Sequence, residues 1–429
     1  MTRAWLRYRA AYAGLPREVW LLAVVIFINR AGAMVLPFLT LYLTSERGMA
    51  EASAGQLISV FGIGAVVGSY LGGRLADRFG AIRVQTVGML MTAPACLMIP
   101  LGRSPAAIAA ALFAWSVASA SVRPANAATI AKLTTHETRM RAFALQRLAA
   151  NFGFSFGPAI GGVLASWKFA AVFVVDACST LFAFAALAWF FRFRRLENPA
   201  VDAADEPPSQ SPLRDRQYMA FLALMLAGAC VFFQFGSTYP LYLRDHFELA
   251  KWQIGAMFAV NTSVIVLVEM VLVDTVQGLP LVRTVGWGMF LSCLGFGMLP
   301  LGSTGGFAVL AMLVVTVGEM LSLPLSAGYV ANRSPRGSES AYMGWYSLML
   351  SLSWMLGPSI GGAVYQWNRD VLWYGGAAIG VLVLIGFEVL AARVRAAERS
   401  KPAPEAIEPA RELYPDAAYP AAVELEEAV

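Results

Sequence analysis

The sequence predicts an all-α membrane protein of twelve spans, built as two six-helix halves of like design. Three observations carry this prediction. Of 429 residues, 58% are hydrophobic and 14% charged, whereas soluble domains are about a quarter charged. Apolar runs of about 20 residues, the length that crosses a ~30 Å hydrocarbon layer, recur twelve times. Sliding the chain by 200 residues superimposes Tyr42-Leu43 on Tyr242-Leu243, Gly55 on Gly255, Gly88-Met89 on Gly288-Met289, Gly157-Pro158 on Gly357-Pro358, Gly161-Gly162 on Gly361-Gly362 and Trp167 on Trp367. Such blocks holding one register across several helices mark two parallel repeats, with a transport path expected between them.

In chain order the expected spans are 18–44, 52–75, 82–102, 105–131, 140–164 and 169–193 in the first half, and 216–244, 252–277, 281–302, 305–331, 340–364 and 370–394 in the second. They are numbered 1 to 12 below. No small-residue cleavage site follows the first apolar run, which is therefore expected to be a retained span. Arg47, Arg103, Lys168, Arg244, Lys251 and Arg369 fall on one side of the membrane, and Arg30, Arg123 and Arg147 fall inside spans. All other members of the 32 Lys and Arg belong to the opposite side, which makes that side, with both termini, cytoplasmic.

The organisation that follows is a six-helix bundle over 1–194, a Pro- and acid-rich cytoplasmic linker over 195–215, a second bundle over 216–396 and a disordered cytoplasmic tail over 397–429. The net charge of +5 marks orientation and implies no nucleic-acid partner. Cys96, Cys178, Cys230 and Cys293 lie in apolar runs without metal-ligand spacing, so neither a disulfide framework nor a metal site is expected. His136 and His246 lie in expected loops, and no HExxH, P-loop or nucleophile elbow occurs, so neither an enzyme nor a cofactor is expected.

Between spans 2 and 3 runs Gly73-Arg74-Leu75-Ala76-Asp77-Arg78-Phe79-Gly80-Ala81-Ile82-Arg83. Four charges in so short a gap cannot lie in hydrocarbon and demand a tight turn at the membrane surface. The run resembles the GxxxDRxGxxR signature of the major facilitator superfamily, with every position filled. The resemblance implies alternating access and a gate in which Asp77 faces the start of span 11, where the helix N-terminus is partially positive. Arg78, Arg83 and Arg141 would add pairs formed only when the halves meet. In the second half Asp77 becomes Gln277 and Gly80 becomes Pro280, while Arg83 keeps its counterpart in Arg283, so the gate is asymmetric.

In span 5, Gly153, Gly157, Pro158, Gly161 and Gly162 form a GxxxGPxxGG run, similar to the signature of the drug:proton antiporter branch. Physically, small residues at this spacing let helix backbones approach closely. Span 11 repeats most of it with Gly357, Pro358, Gly361 and Gly362. Asn29 and Arg30, with Leu41-Tyr42-Leu43 and Glu319, are also similar to proton-coupled oligopeptide symporters, although Val25 and Ile26 stand where that family carries glutamates.

Ionisable groups inside spans cost about 2.5–3.5 kcal/mol on insertion scales, so each is a functional candidate. Arg30 in span 1, Arg123 in span 4 and Glu319 in span 10 lie near mid-membrane, on helices that line the central cavity in the resembled family. Asn126 in span 4, with Gln234 and Tyr239 in span 7, add polar groups to that wall. Glu319 is expected to stay ionised beside the two arginines and to take a proton when they move away. Asp176, Glu269 and Asp274 read as structural, Glu269 as a pairing group between helices, and Arg147 as reaching back to the membrane interface.

The function expected is that of a monomeric, proton-coupled secondary transporter in a cell (inner) membrane, exporting a small amphipathic molecule or drug. Its partners would be that small-molecule substrate, protons and the lipid bilayer. Proton-coupled uptake of peptide-like or organic anionic substrates is the alternative. A receptor or scaffold that transports nothing would need neither cavity charges nor an intact gate signature.

Overall fold

A computed structural model describes residues 14–192, 211–276, 278–335 and 338–399. Within it, twelve helical segments are long and apolar enough to cross a membrane. Most of their bounds follow the expected ones closely, from Arg17–Glu46 for span 1 to Arg369–Ala397 for span 12, but the apolar segments of spans 7 and 8 end at Gly236 and Glu269, each short of the expected end. The last helix runs to Arg399, beyond its expected end at 394. Most of the expected linker and nearly all of the expected tail lie outside the described residues.

Span 5 begins earlier than expected, at His136, because Thr135 and Thr138 form a reciprocal capping box that supplies the first turn's missing partners. Between spans 2 and 3, Gly80 closes one helix and opens the next at φ +94°, a left-handed conformation that a side chain would strain. The tight surface turn read from the signature is therefore present.

Spans 1 and 7 are broken, which the apolar pattern did not predict. Span 1 is helical over Arg17–Ala31 and Val35–Leu41 and ends in a π turn, Tyr42–Glu46. Span 7 is helical over Arg216–Phe232, tightens to a 3₁₀ turn at Phe233–Gly236 and resumes at Thr238–Asp245. Where a helix stops and restarts, the first amides of the new piece and the last carbonyls of the old one lack intrahelical partners, so backbone groups are freed at depth and must find others. At the first break the Asp176 carboxylate accepts the amides of Met34 and Val35, both at 3.1 Å. At the second, Gln234 donates to the carbonyls of Gly357 (2.6 Å) and Cys230 (3.1 Å) and accepts from the hydroxyls of Thr238 (2.8 Å) and Ser237 (3.2 Å).

With an even number of spans, both ends of the described chain lie on one face, here the terminal face; the other is the far face. Near the far face the halves are locked together. A Cβ added to Gly55 of span 2 would sit 2.3 Å from the Pro358 carbonyl oxygen of span 11, and one added to Gly255 of span 8 would sit 2.3 Å from that of Pro158 in span 5. The two crossings are related by the 200-residue repeat. Polar ties reinforce them: Ser59 meets Ser359 at 2.7 Å, Arg244 donates to Ser45 at 2.5 Å, and Lys251 pairs with Glu46 at 3.4 Å.

Towards the terminal face the halves part. One apolar core, including Phe38, Tyr42, Phe173, Tyr239, Phe258 and Trp373, runs through both halves on the far side. On the terminal side it gives way to separate clusters, around Leu22, Leu145 and Leu187 in the first half and around Phe221, Tyr342 and Phe387 in the second. The halves are thus closely joined at the far face and keep separate apolar cores at the terminal face.

The second half has its own terminal-face clamp. Asp215 caps span 7 by accepting the Tyr218 amide, and Arg333 from the end of span 10 donates to both its carboxylate oxygens at 2.7 Å. Burial works against the charge on Asp215, but Arg333, the Tyr218 amide and the Tyr342 hydroxyl outweigh it and hold the carboxyl below the usual carboxylate range. A depressed carboxyl stabilises the fold above its unfolded pKa of about 3.9, and this contribution fades as pH falls through the folded value. Asp215→Asn is therefore expected to cost about 1–3 kcal/mol at neutral pH. In detergent melts, the gap to the native protein should close in strong acid; a gap constant with pH would refute the assignment.

Candidate functional site

In the second half the candidate site is built around Glu319. It lies mid-way along span 10 (Gly305–Arg333), partly buried, with its carboxylate accepting a 3.0 Å bond from Asn261 of span 8. The same Asn261 amide group donates to Thr316, one turn before Glu319, also at 3.0 Å. Asn261 is buried and its orientation is fixed by Thr316, so the donor is held ready for the carboxylate. Sequence reading missed Asn261; the adjacent polar pair Asn261-Thr262 in the middle of an apolar run was its signal.

The arginines expected beside Glu319 lie elsewhere. Arg30 ends the first helical piece of span 1, and the charges facing it are Arg123 and Asp176, both of the first half. Asn29 lies 3.4 Å from Thr180 of span 6. Arg123 is exposed, and Asn126 is partly buried one turn away. The charged groups facing Glu319 are instead Glu269 of span 8 and Arg147 of span 5. Arg147 does not reach back to the membrane interface as expected: it donates to Glu269, joining the two halves on the terminal side. A partner within reach outweighs snorkelling, because an unpaired charge at this depth is the costlier alternative.

Gln234 and Tyr239, expected on the cavity wall, belong to the packing. Gln234 holds the break in span 7, and Tyr239 is enclosed by the rings of Phe235, Phe258 and Phe296. Both are buried. Aromatic and amide groups next to a helix break serve the backbone first, and apolar spacing alone does not distinguish that duty from lining a cavity.

The span 5 run packs as its spacing implies. Gly153 and Gly157 lie against the backbone of span 1 around Arg30, Gly161 against Met34 and Phe38, and Gly162 against Lys251, Trp252 and Gly255 of span 8. Pro158 supplies the carbonyl at the inter-half crossing. One motif therefore holds span 1 at its break and seals the far face.

At the gate signature, Gly73 faces open space, and Arg78, Arg83 and Arg141 are exposed without an ion pair to another described side chain. Arg74 rests on the Tyr70 ring and Arg78 on that of Phe79. The backbone at Asp77 continues the helix of span 2, and its side chain, like that of Asp274, lies outside the described residues.

Residues 19–358 match the family model described as Major Facilitator Superfamily. The chain belongs to this superfamily. It is accordingly an integral multi-pass membrane transporter of small molecules rather than an enzyme. Among curated superfamily proteins, it is 25% identical to an uncharacterized MFS-type transporter, YttB of Bacillus subtilis, covering 82% of this chain and 89% of that one. It is 25% identical to a Na(+), Li(+), K(+)/H(+) antiporter of Planococcus maritimus, over 77% and 85% of the two chains. It is 23% identical to multidrug resistance protein 1 of B. subtilis, over 83% and 92%. Among solved structures, a mutant of the peptide transporter POT in complex with sulfate superimposes with a TM-score of 0.76 at 15% identity, covering 90% of this chain and 96% of that one. The POT family transporter PepTSo gives 0.75 at 16% identity, over 90% and 99%. These structures establish the fold.

Proposed function

We propose that the chain is a proton-coupled exporter of a small amphipathic molecule, with Glu319 as its proton site. The observation that carries this reading is a partly buried carboxylate at mid-span, held by one oriented amide. An ionisable group is costly there unless it is used. The excess of Lys and Arg on the terminal face supports a cytoplasmic position for that face in a cell membrane. Relatives that include a multidrug resistance protein and a cation/proton antiporter, together with the span 5 motif, favour export by exchange.

Uptake with protons is the second reading, favoured by one observation: Arg30 and Arg123 face one another in the first half, which suits an anionic or zwitterionic cargo. Purified protein in liposomes loaded with a pH-sensitive dye separates the two. Amphipathic drugs, organic anions and dipeptides are added in turn. Protons moving against the compound support exchange, and protons moving with it establish uptake. No proton movement with any transported compound removes the coupling.

The gate signature then acts on conformation and not on cargo. Asp77→Asn should remove about 1–2 kcal/mol from the state closed at the terminal face. Turnover is expected to fall about tenfold with substrate affinity unchanged; loss of binding with turnover intact would show that Asp77 touches substrate instead.

A further inference from the structure

The two inter-half seams are related by the 200-residue repeat, but they differ at one level. Where the seam of spans 5 and 8 has Arg147 and Glu269, the seam of spans 2 and 11 has Ser347 and Ser69. The ion pair is therefore an addition to one seam and not a requirement of the fold. It sits on the terminal side, well away from the glycine crossing at Gly162 and Gly255, and 8 residues along span 8 from Asn261, about 12 Å along the helix axis.

The neighbourhood of Glu319 is simple. Span 9 packs Gly288 and Ser292 against Gly318 and brings no charge; its Arg283 is taken by Glu388 of span 12. Span 11 contributes Tyr346, whose hydroxyl meets Ser326 at 2.7 Å. Span 8 contributes Asn261 and Glu269. Among the described residues, the one charged group from the opposite half that faces Glu319 is Arg147. Glu269 and Glu319 travel together in the second half, whereas Arg147 travels with the first.

Resting on the reading of Glu319 as the proton site, we propose that the Arg147–Glu269 pair makes that site sense how the halves are arranged. A nearby cation favours the ionised form of a carboxyl and a nearby anion opposes it, so any movement that changes the contact of Arg147 with Glu269 changes the hold of Glu319 on its proton. Neither residue of the pair carries the proton between the two faces; both are positioning residues acting on Glu319 through the field.

The test is an infrared pH titration of the purified protein in lipid nanodiscs, following the protonated-carboxyl band that Glu319→Gln removes. Arg147→Gln is expected to move its midpoint up, and Glu269→Gln to move it down, each by roughly half to one pH unit. The double variant should return close to the native midpoint, and Arg147→Lys, which keeps the charge, should hold it. A purely structural bridge would move neither midpoint, or both alike, and either result overturns the inference. If no titrating band disappears in Glu319→Gln, the proton-site reading itself fails, and the two failures are thereby distinguished.

Discussion

Glu319→Gln protein in liposomes is expected to bind its substrate and equilibrate it across the membrane, but no longer to concentrate it against a gradient when a pH difference is imposed. Glutamine keeps the shape and still bonds to Asn261 while carrying no titratable proton. Uphill transport should fall by at least about a hundredfold, since no other carboxylate among the described residues accepts the bond from Asn261. Counterflow of labelled substrate, which needs no proton, should persist at nearly the native rate. A variant that still concentrates substrate in response to the pH gradient would remove Glu319 from the coupling.

The second large effect is steric. At Gly55 and Gly255 an added Cβ would lie 2.3 Å from a proline carbonyl oxygen of the opposite half. Backbone oxygens cannot yield as flexible side chains do, so Gly255→Val should strain only the state closed at the far face. Overpacking of this kind costs about 1–3 kcal/mol, which lowers the weight of that state roughly five- to a hundred-and-fifty-fold against the other. A cysteine introduced as Gly73→Cys, in open space on the terminal face, reports the change in a background lacking Cys178. Its reaction with a bulky maleimide should slow when Gly255→Val is added, and transport should slow with it. Unchanged labelling with intact transport would mean that the crossing is dispensable.

Much of this architecture was legible in the sequence, for definite physical reasons. Span number, the surface turn at Gly80 and the glycine seams follow from length, charge and side-chain size, which act locally and leave their mark on the order of residues. The breaks in spans 1 and 7 were hidden, because the side chains that make them tolerable act through contacts that close only in three dimensions. Asp176 reaches the amides of Met34 and Val35 from span 6, and Gln234 reaches the carbonyl of Gly357 in span 11. The site was legible only in part. Glu319 stood out by its cost in hydrocarbon, but its neighbours did not, because burial depth says nothing about which half an arginine will face. Arg30 and Arg123 therefore looked like partners, while Arg147, nearer the membrane surface by sequence, is the one that crosses.

The fork in the apolar core, single at the far face and double at the terminal face, has a calorimetric consequence. Reversing the molecule wets one apolar seam and dries the other. Because the repeat gives the two ends similar surfaces, the hydration heat capacities of exposure and burial largely cancel. The balance between the two orientations should thus depend only weakly on temperature, unlike the folding equilibrium of the same chain, leaving substrate and charge to set which way the transporter faces.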